Sequence, residues 1–248
     1  MKKNHFIMPY FGNKRNEVKE IYEKISPIID DIKTIIEPFC GSCALSFYIS
    51  TLHPKKFHYI LNDNNKFLID LLEIIKDDDK LKILCDKLNE FSKDLTKEKY
   101  TEIIKNHKTD IYSWFYGNTV FNIRPYLYPQ GRTIKNDFQK IFLNHPFINF
   151  LKTENITLKC IDAKDIIIEY KDDIKCLLFL DPPYLMSSND FYNNKDVNIY
   201  EWLCNNNLND FKSKFLLCLE DVWIIKLLFE KNIKSSYSKT YQTTKKKN

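Results

Sequence analysis

Apolar side chains at Val18, Ile21, Tyr22 and Ile25 recur at the i, i+3, i+4, i+7 spacing of one helix face, so residues 15–25 predict an amphipathic helix. A β-prone run, TIIEPF (34–39), follows Pro27 and the acidic pair at 30–31, and stops at CGSC. ALSFYIS (44–50) reads as a helix, FHYILND (57–63) as a second strand, and KFLIDLLEIIK (66–76) as a helix with a strong apolar face. This alternation is the rhythm of a parallel sheet covered by helices. Residues 77–107 are charged and predict helix, with Leu81, Leu84, Leu88 and Phe91 on one side. The rhythm then breaks. Residues 108–150 set Gly117, Pro125, Pro129, Gly131 and Pro146 among Tyr112, Trp114, Phe115, Tyr116, Phe121, Tyr126 and Tyr128, and read as a loop-rich insertion with one hairpin. Strand and helix signals resume at ITLKCID (156–162) and run through a short helix to KCLLFLDPPY (175–184). After a polar loop over 186–198 come KFLLCLE (214–220) and a helix near 222–231. The closing YSKTYQTTKKKN is polar and basic, and is expected to fray.

Composition changes this picture little. The 248 residues suffice for one large domain, or for a core domain with a substantial insertion. At 44% hydrophobic and 29% charged, the chain has the make-up of a soluble globular protein. No apolar run reaches membrane-spanning length, and the N-terminal residues lack the apolar stretch of a secretory signal. The seven cysteines read as scattered free thiols of a reducing compartment, with no zinc site expected. The expected place of work is the cytoplasm, or the nucleoid or nucleus. The net charge of +5 permits a polyanionic partner without requiring one. The wealth of Lys, Asn and Ile fits AT-rich coding. The arginines are only three, Arg15, Arg124 and Arg132, and two of them lie inside the aromatic stretch.

Candidate chemistry gathers where apolar strands stop. In open parallel sheets, ligands sit outside the carboxyl ends of the strands. The most apolar strand ends on Asp181-Pro182-Pro183-Tyr184. A plain turn is one reading, since prolines stop strands and Asp favours turns. The chemistry of an exocyclic amino group gives another. The N6 nitrogen of adenine is a poor nucleophile because its lone pair is delocalised into the ring. A carboxylate oxygen and a backbone carbonyl, each accepting one N–H bond, push that nitrogen towards tetrahedral geometry and free the lone pair. Asp181 offers the carboxylate, a rigid proline the carbonyl, and Tyr184 a flat face for a base flipped out of the duplex.

Three further stretches share this placement. IIEPFCGS (35–42) is a strand, a carboxylate and a glycine turn leading into a helix, where Gly41 allows close backbone approach. YILND (59–63) ends the next strand on Asp63, the usual place for a carboxylate that binds ribose hydroxyls. PYFGNK (9–14) joins aromatic residues to Gly12 and Lys14. Each is common alone; their order is not.

Together these motifs resemble the Dam-type, D12 class DNA adenine-N6 methyltransferases over most of the chain. PYFGNK looks like the N-terminal cofactor motif, IIEPFCGS like the S-adenosylmethionine motif E-P-F-x-G, and DPPY like the catalytic motif. Cofactor motifs, then target recognition, then DPPY is the family's α arrangement. The resemblance implies an α/β fold: a Rossmann-like class I methyltransferase sheet with helices on both faces and an inserted target-recognition domain. Residues 1–76 and 151–248 would form the catalytic, S-adenosylmethionine-binding domain, and 77–150 the helical and hairpin insertion. The cofactor would pack on Tyr10 or Phe11, and its amino-acid part would meet Lys14 and Glu37. Phe39 and Gly41 would lie beside it, Asp63 would bind its ribose, and Asp162 would face its adenine. The flipped adenine would stack on Tyr184, with Asp181 and the Pro182 carbonyl as acceptors and Pro183 stiffening the turn. No metal is implied, because a sulfonium is already a strong electrophile. Double-stranded DNA would be read by the insertion, where Arg124 and Arg132 stand among Asn122, Tyr126 and Gln130; Arg suits guanine, and Asn or Gln adenine. A restriction nuclease acting on the same site is a partner that such an enzyme could have.

Two departures bear on that expectation. Cys43 stands where many relatives carry a smaller residue in the cofactor turn, and it is expected to be tolerated there as a small side chain. The sequence also shows no further apolar strand after YQTTKKKN, where relatives usually continue into one, so the expectation is either a truncated protein or a sheet that lacks an edge. Both features leave room for a degenerate, non-catalytic DNA-binding homologue. Cytosine N4 and RNA are the alternative substrates for an amino-methyltransferase of this kind.

Overall fold

The computed structural model describes residues 6–7, 10, 12–93, 95–120, 137–184, 198–206, 208–219 and 223–229. The chain divides into two compact units. The first is Met1–Asp181 with Asp210–Leu217, and the second is Pro182–Asn209 with Cys218–Asn248.

The first unit is built on five parallel strands: β1 (Thr34–Glu37), β2 (His58–Asn62), β3 (Asn155–Lys159), β4 (Cys176–Leu180) and β5 (Lys214–Leu217). Their order across the sheet is β3-β2-β1-β4-β5. β1 and β4 are the middle of the sheet and must face apolar layers on both sides, so they read as unbroken apolar runs. Ile35, Ile36, Leu178 and Leu180 are all fully buried. The edge strands β3 and β5 are more exposed and carry Lys159 and Lys214, charges that discourage further strand pairing.

The strand order reverses between β1 and β4. Right-handed crossovers therefore put the β1→β2→β3 connections on one face and the β3→β4 connection on the other. α2 (Ala44–Leu52) and α3 (Lys66–Lys76) serve the first face, and α9 (Ala163–Tyr170) packs against β4. α1 (Val18–Ile25) buries Val18, Ile21 and Ile25 and packs on α2. It runs into a 3-10 turn, Ser26–Asp31, that carries Pro27 at its start.

Among the described residues, five helices lie in the long connection from α3 to β3: α4 (Asp78–Ser92), α5 (Lys97–Asn106), α6 (Ile111–Val120), α7 (Phe138–Phe142) and α8 (Pro146–Thr153). The expectation of loops over 108–150 is corrected here: 111–120, 138–142 and 146–153 are helical. Any hairpin would fall in 121–136, outside the described residues. Most of the starts are capped by short polar side chains. Asp77, Thr96 and Asp137 accept N–H bonds from Lys80, Lys99 and Lys140, at 3.0, 3.3 and 3.3 Å. At α8, His145 Nδ1 accepts from the Phe147 amide and Pro146 occupies the first turn, where its missing N–H costs nothing.

Several of the described aromatic residues of this stretch are core. Phe115, Tyr116 and Phe138 are buried, and Tyr116 meets Phe91 and Phe138 edge-on or tilted at centroid distances of 5.4 and 6.1 Å. α8 returns to the sheet, setting Phe147 and Phe150 against Phe47 of α2 and Tyr59 of β2.

In the second unit, α10 (Asn198–Asn205) follows the end of the expected polar loop, and α11 (Trp223–Phe229) lies where a helix was expected. α10 buries Ile199, Tyr200 and Leu203, and α11 buries Ile225 and Phe229. Among the described residues no helix is long and apolar enough to cross a membrane.

Candidate active site

The parallel register brings three strand ends into one row. Glu37 is paired with Leu61 and Ile36 with Leu178, so Glu37, Asp63 and Asp181 all lie at or just past the carboxyl ends of neighbouring strands β1, β2 and β4. The reversal of strand order falls between β1 and β4, which opens a crevice at that edge in sheets of this kind.

Glu37 is 2% exposed and shapes the turn after β1. Its Oε1 accepts both the Ser46 amide, at 2.8 Å, and the Ser46 hydroxyl, at 2.5 Å. Ser46 lies in the first turn of α2, so a strand residue caps that helix, where the dipole favours negative charge. Among the described residues, Oε2 carries no hydrogen bond. Burial pushes the Glu37 carboxyl up to about 7; the Ser46 bonds oppose this, and the charge of Asp181 adds to it.

Asp63 shapes the same turn from the other strand. Its Oδ2 accepts the Gly41 amide at 3.0 Å and its Oδ1 accepts the Asn65 amide at 2.9 Å. Gly41 has φ +46°, and a Cβ there would lie 2.9 Å from Cε1 of Tyr10. Glycine takes this backbone without strain, and a Cβ there would require the Tyr10 ring to shift. Tyr10 packs over the turn, and Phe39 is half-buried within it.

Cys43 takes φ 52° and ψ 31°, a left-handed conformation that costs an L-residue about 1–2 kcal/mol. The expectation that this position asks only for a small side chain is therefore corrected: it asks for positive φ as well. Cys40 and Cys43 also form a Cys-x-x-Cys spacing, which a reading of the cysteines as scattered passes over. The Cys43 amide donates to the Cys40 carbonyl at 2.6 Å, and the Cys43 thiol donates to the Gly41 carbonyl at 3.8 Å. Burial pushes both thiols up, so both are held protonated.

Asp181 ends β4 half-buried, with Lys14 Nζ 2.7 Å from its Oδ1. The contact is Coulombic first, because that oxygen lies off the line of a regular hydrogen bond. Burial pushes the Asp181 carboxyl up, and the Lys14 ammonium pulls it back. The other oxygen, Oδ2, carries no hydrogen bond among the described residues. In the second unit, Pro182 is buried and Pro183 and Tyr184 are half-buried. The Tyr200 hydroxyl donates to the Pro183 carbonyl at 2.9 Å, whereas no described donor bonds the Pro182 carbonyl.

Asp162 sits elsewhere in the local logic. It is exposed and caps α9, its Oδ1 accepting the Lys164 amide at 2.8 Å. Phe11 and the four recognition candidates Asn122, Arg124, Tyr126 and Arg132 lie outside the described residues.

Sequence reasoning missed Asn62. Fully buried at the end of β2, its amide donates to the carbonyls of Pro38 and Ile161, at 2.9 and 3.0 Å, and accepts the Ile161 amide at 3.0 Å. One side chain therefore ties together the loops after β1, β2 and β3. A polar residue closing an otherwise apolar strand was the available signal. Among the described residues, no group of three His, Cys, Asp or Glu side chains could hold a metal ion.

The model of the D12 class N6 adenine-specific DNA methyltransferase family matches residues 10–246 of this chain. No curated protein matches it.

Proposed function

The chain belongs to the D12 class of N6 adenine-specific DNA methyltransferases, and from that membership we propose how its own residues divide the work. The enzyme methylates adenine at N6 in DNA, and DNA methyltransferases generally draw the methyl group from S-adenosylmethionine. The residues at the strand ends suit that donor. A Cβ at Gly41 would press on the Tyr10 ring, Glu37 keeps one oxygen without a hydrogen bond inside a buried setting, and Asp63 closes the neighbouring strand. Bound there, S-adenosylmethionine supplies a methyl group on a cationic sulfur, and the C–S bond breaks as the new C–N bond forms.

Glu37 takes the α-ammonium of the donor through Oε2. Asp63 takes the ribose hydroxyls, since a carboxylate that accepts two amides still has lone pairs to offer. Tyr10 and Phe39, with Phe11 beside Tyr10 in the sequence, flank its flat and apolar parts, and Asp162 faces its adenine. The target adenine must leave the duplex, because its amino group is paired there. Tyr184 gives the flipped ring a face. Asp181 and the Pro182 carbonyl each accept one N6 hydrogen, which localises the lone pair for attack. One proton passes to solvent after transfer. Catalysis of this kind is mainly positioning.

Residues 1–76 and 151–248 would carry cofactor and chemistry, and 77–150 would read double-stranded DNA through Asn122, Arg124, Tyr126 and Arg132. The work is done beside the DNA in the cytoplasm, and a restriction nuclease cutting the same site is the partner that such a mark would hold off.

The observation that carries this reading is the row of carboxylates at the ends of β1, β2 and β4. Two of them bind backbone amides that shape the cofactor turn, and the third, Asp181, meets a cation instead. Asp181→Ala should lower methyl transfer by a factor on the order of 100–1,000 while S-adenosylmethionine binds nearly as before. Duplex DNA digested to nucleosides, with N6-methyladenine counted by mass spectrometry, gives the rate. Unchanged turnover would remove Asp181 from the reaction.

A further inference from the structure

Lys14 was expected on the amino-acid part of the donor, but in the structure its ammonium meets the carboxylate of Asp181. The two side chains are 9% and 14% exposed, and Nζ approaches Oδ1 to 2.7 Å. The lysine is held at both ends. Its own carbonyl accepts the amides of Glu17 and Val18, each at 2.9 Å, and so opens α1. Its Nζ also donates to the Gly12 carbonyl at 3.2 Å. α1 is in turn seated on α2 through its buried face. The ammonium is thus placed by the fold and does not hang from a free surface side chain.

Two consequences follow for the carboxylate. First, one oxygen is fixed and the other is left. Oδ1 faces Lys14, and Oδ2 has no hydrogen bond among the described residues. An acceptor for an adenine N–H needs such an oxygen, aimed and unoccupied. Second, the charge is maintained. The charged groups facing Asp181 are Lys14, from the segment before α1, and Glu37, at the end of β1. Burial and Glu37 both favour a neutral carboxylic acid, which has one fewer acceptor position and is a weaker one. Lys14 works against both.

We propose that Lys14 is the positioning residue of the methyl-transfer step: it holds Oδ1 of Asp181 and keeps that carboxylate ionised, so that Oδ2 accepts the hydrogen of the adenine amino group. This rests on Asp181 being the acceptor.

The test is the pH profile of kcat in Lys14→Met and Lys14→Gln, with Lys14→Arg as the charge-conserving control. Turnover needs the ionised carboxylate, so it rises with pH through the Asp181 titration. Without the ammonium that titration moves up, and the acid limb of kcat should move to higher pH by about one unit or more. Below the limb, each unit is about a tenfold loss of rate. Lys14→Arg should keep the limb near its original place. S-adenosylmethionine affinity, measured by calorimetry, should change less than kcat. A raised KM with an unmoved acid limb in the folded variants would overturn the proposal and return Lys14 to the donor. If both neutral variants fail to melt cooperatively while Lys14→Arg is folded and active, Lys14 is structural and the proposal also falls. Asp181→Ala, which leaves no side-chain acceptor, separates the two readings. If that variant still turns over, the acceptor role itself is wrong. If it is inactive while Lys14→Met keeps the original limb, only the role of Lys14 is wrong.

Discussion

Two regions of the first unit look equally functional as sequence: the strand-end turns around Glu37, Gly41 and Asp63, and the aromatic stretch that begins at Tyr112. The structure separates them. In the helical layer the buried Tyr116 packs on Phe91 and Phe138, the buried Phe115 and Phe138 both pack on Phe142, and the polar Tyr116 hydroxyl is met by Ser92 at 3.1 Å. This is ordinary packing, in which rings gain from area and from edge-to-face geometry. At the strand ends the buried groups are charged or polar, and they bond backbone amides. The backbone there has positive φ at Gly41 and Cys43. Burial of carboxylates and a strained turn both cost stability, and a fold keeps them where they serve a site. A density of aromatic residues marks a core more readily than it marks a ligand; buried carboxylates joined to backbone amides mark the opposite.

The contrast can be broken at several points. Phe115→Ala should have the largest effect, a loss of about 3–5 kcal/mol of stability, with donor affinity per folded molecule unchanged. Urea melts beside calorimetric titration check both halves, and a selective loss of donor binding would move that layer into the site. Glu37→Gln comes next and is read in pH dependence. The carboxyl ordinarily titrates near 4.5 but near 7 in the fold. The folded state therefore binds more protons between those values, and this group's contribution is present at low pH and is lost as pH rises from about 4.5 to about 7. The difference amounts to roughly 3 kcal/mol, and Glu37→Gln should flatten that slope in melts taken across the window. The smallest effect is at Cys43. Cys43→Gly should be more stable than Cys43→Ala by about 1 kcal/mol, because glycine alone takes positive φ without strain. Equal melting temperatures would show that the left-handed turn costs nothing.

Much of this was legible in the chain. The helix at 66–76 coincides with α3, four of the five strands fall within the runs read as strand, and β3 begins one residue before its run. DPPY, EPFCGS and the acidic end of YILND lead to the strand edge because parallel sheets place their ligands there. The helices between 111 and 153 were not legible, for physical reasons. α6 is apolar around most of its circumference and shows no polar face to set a period. Pro146 reads as a breaker but stands in the first turn of α8, where a proline is at home. Gly117 reads as a turn yet sits inside α6 with open space where a Cβ would be. The partner of Lys14 was hidden as well, since residues 14 and 181 meet only when β4 takes its place beside β1.

That strand order also governs when the enzyme comes into being. β1 is among the first elements made, but its partner on one side, β4, arrives only after the whole helical layer. Loop closure over such a separation is slow, because chain entropy is lost before the contact rewards it. Until β4 is made and docked, Glu37 and Asp63 have no Asp181 beside them. A partly synthesised chain can thus shape the turn around Gly41 before Asp181 joins the row, and the three strand ends meet only once the sheet has closed.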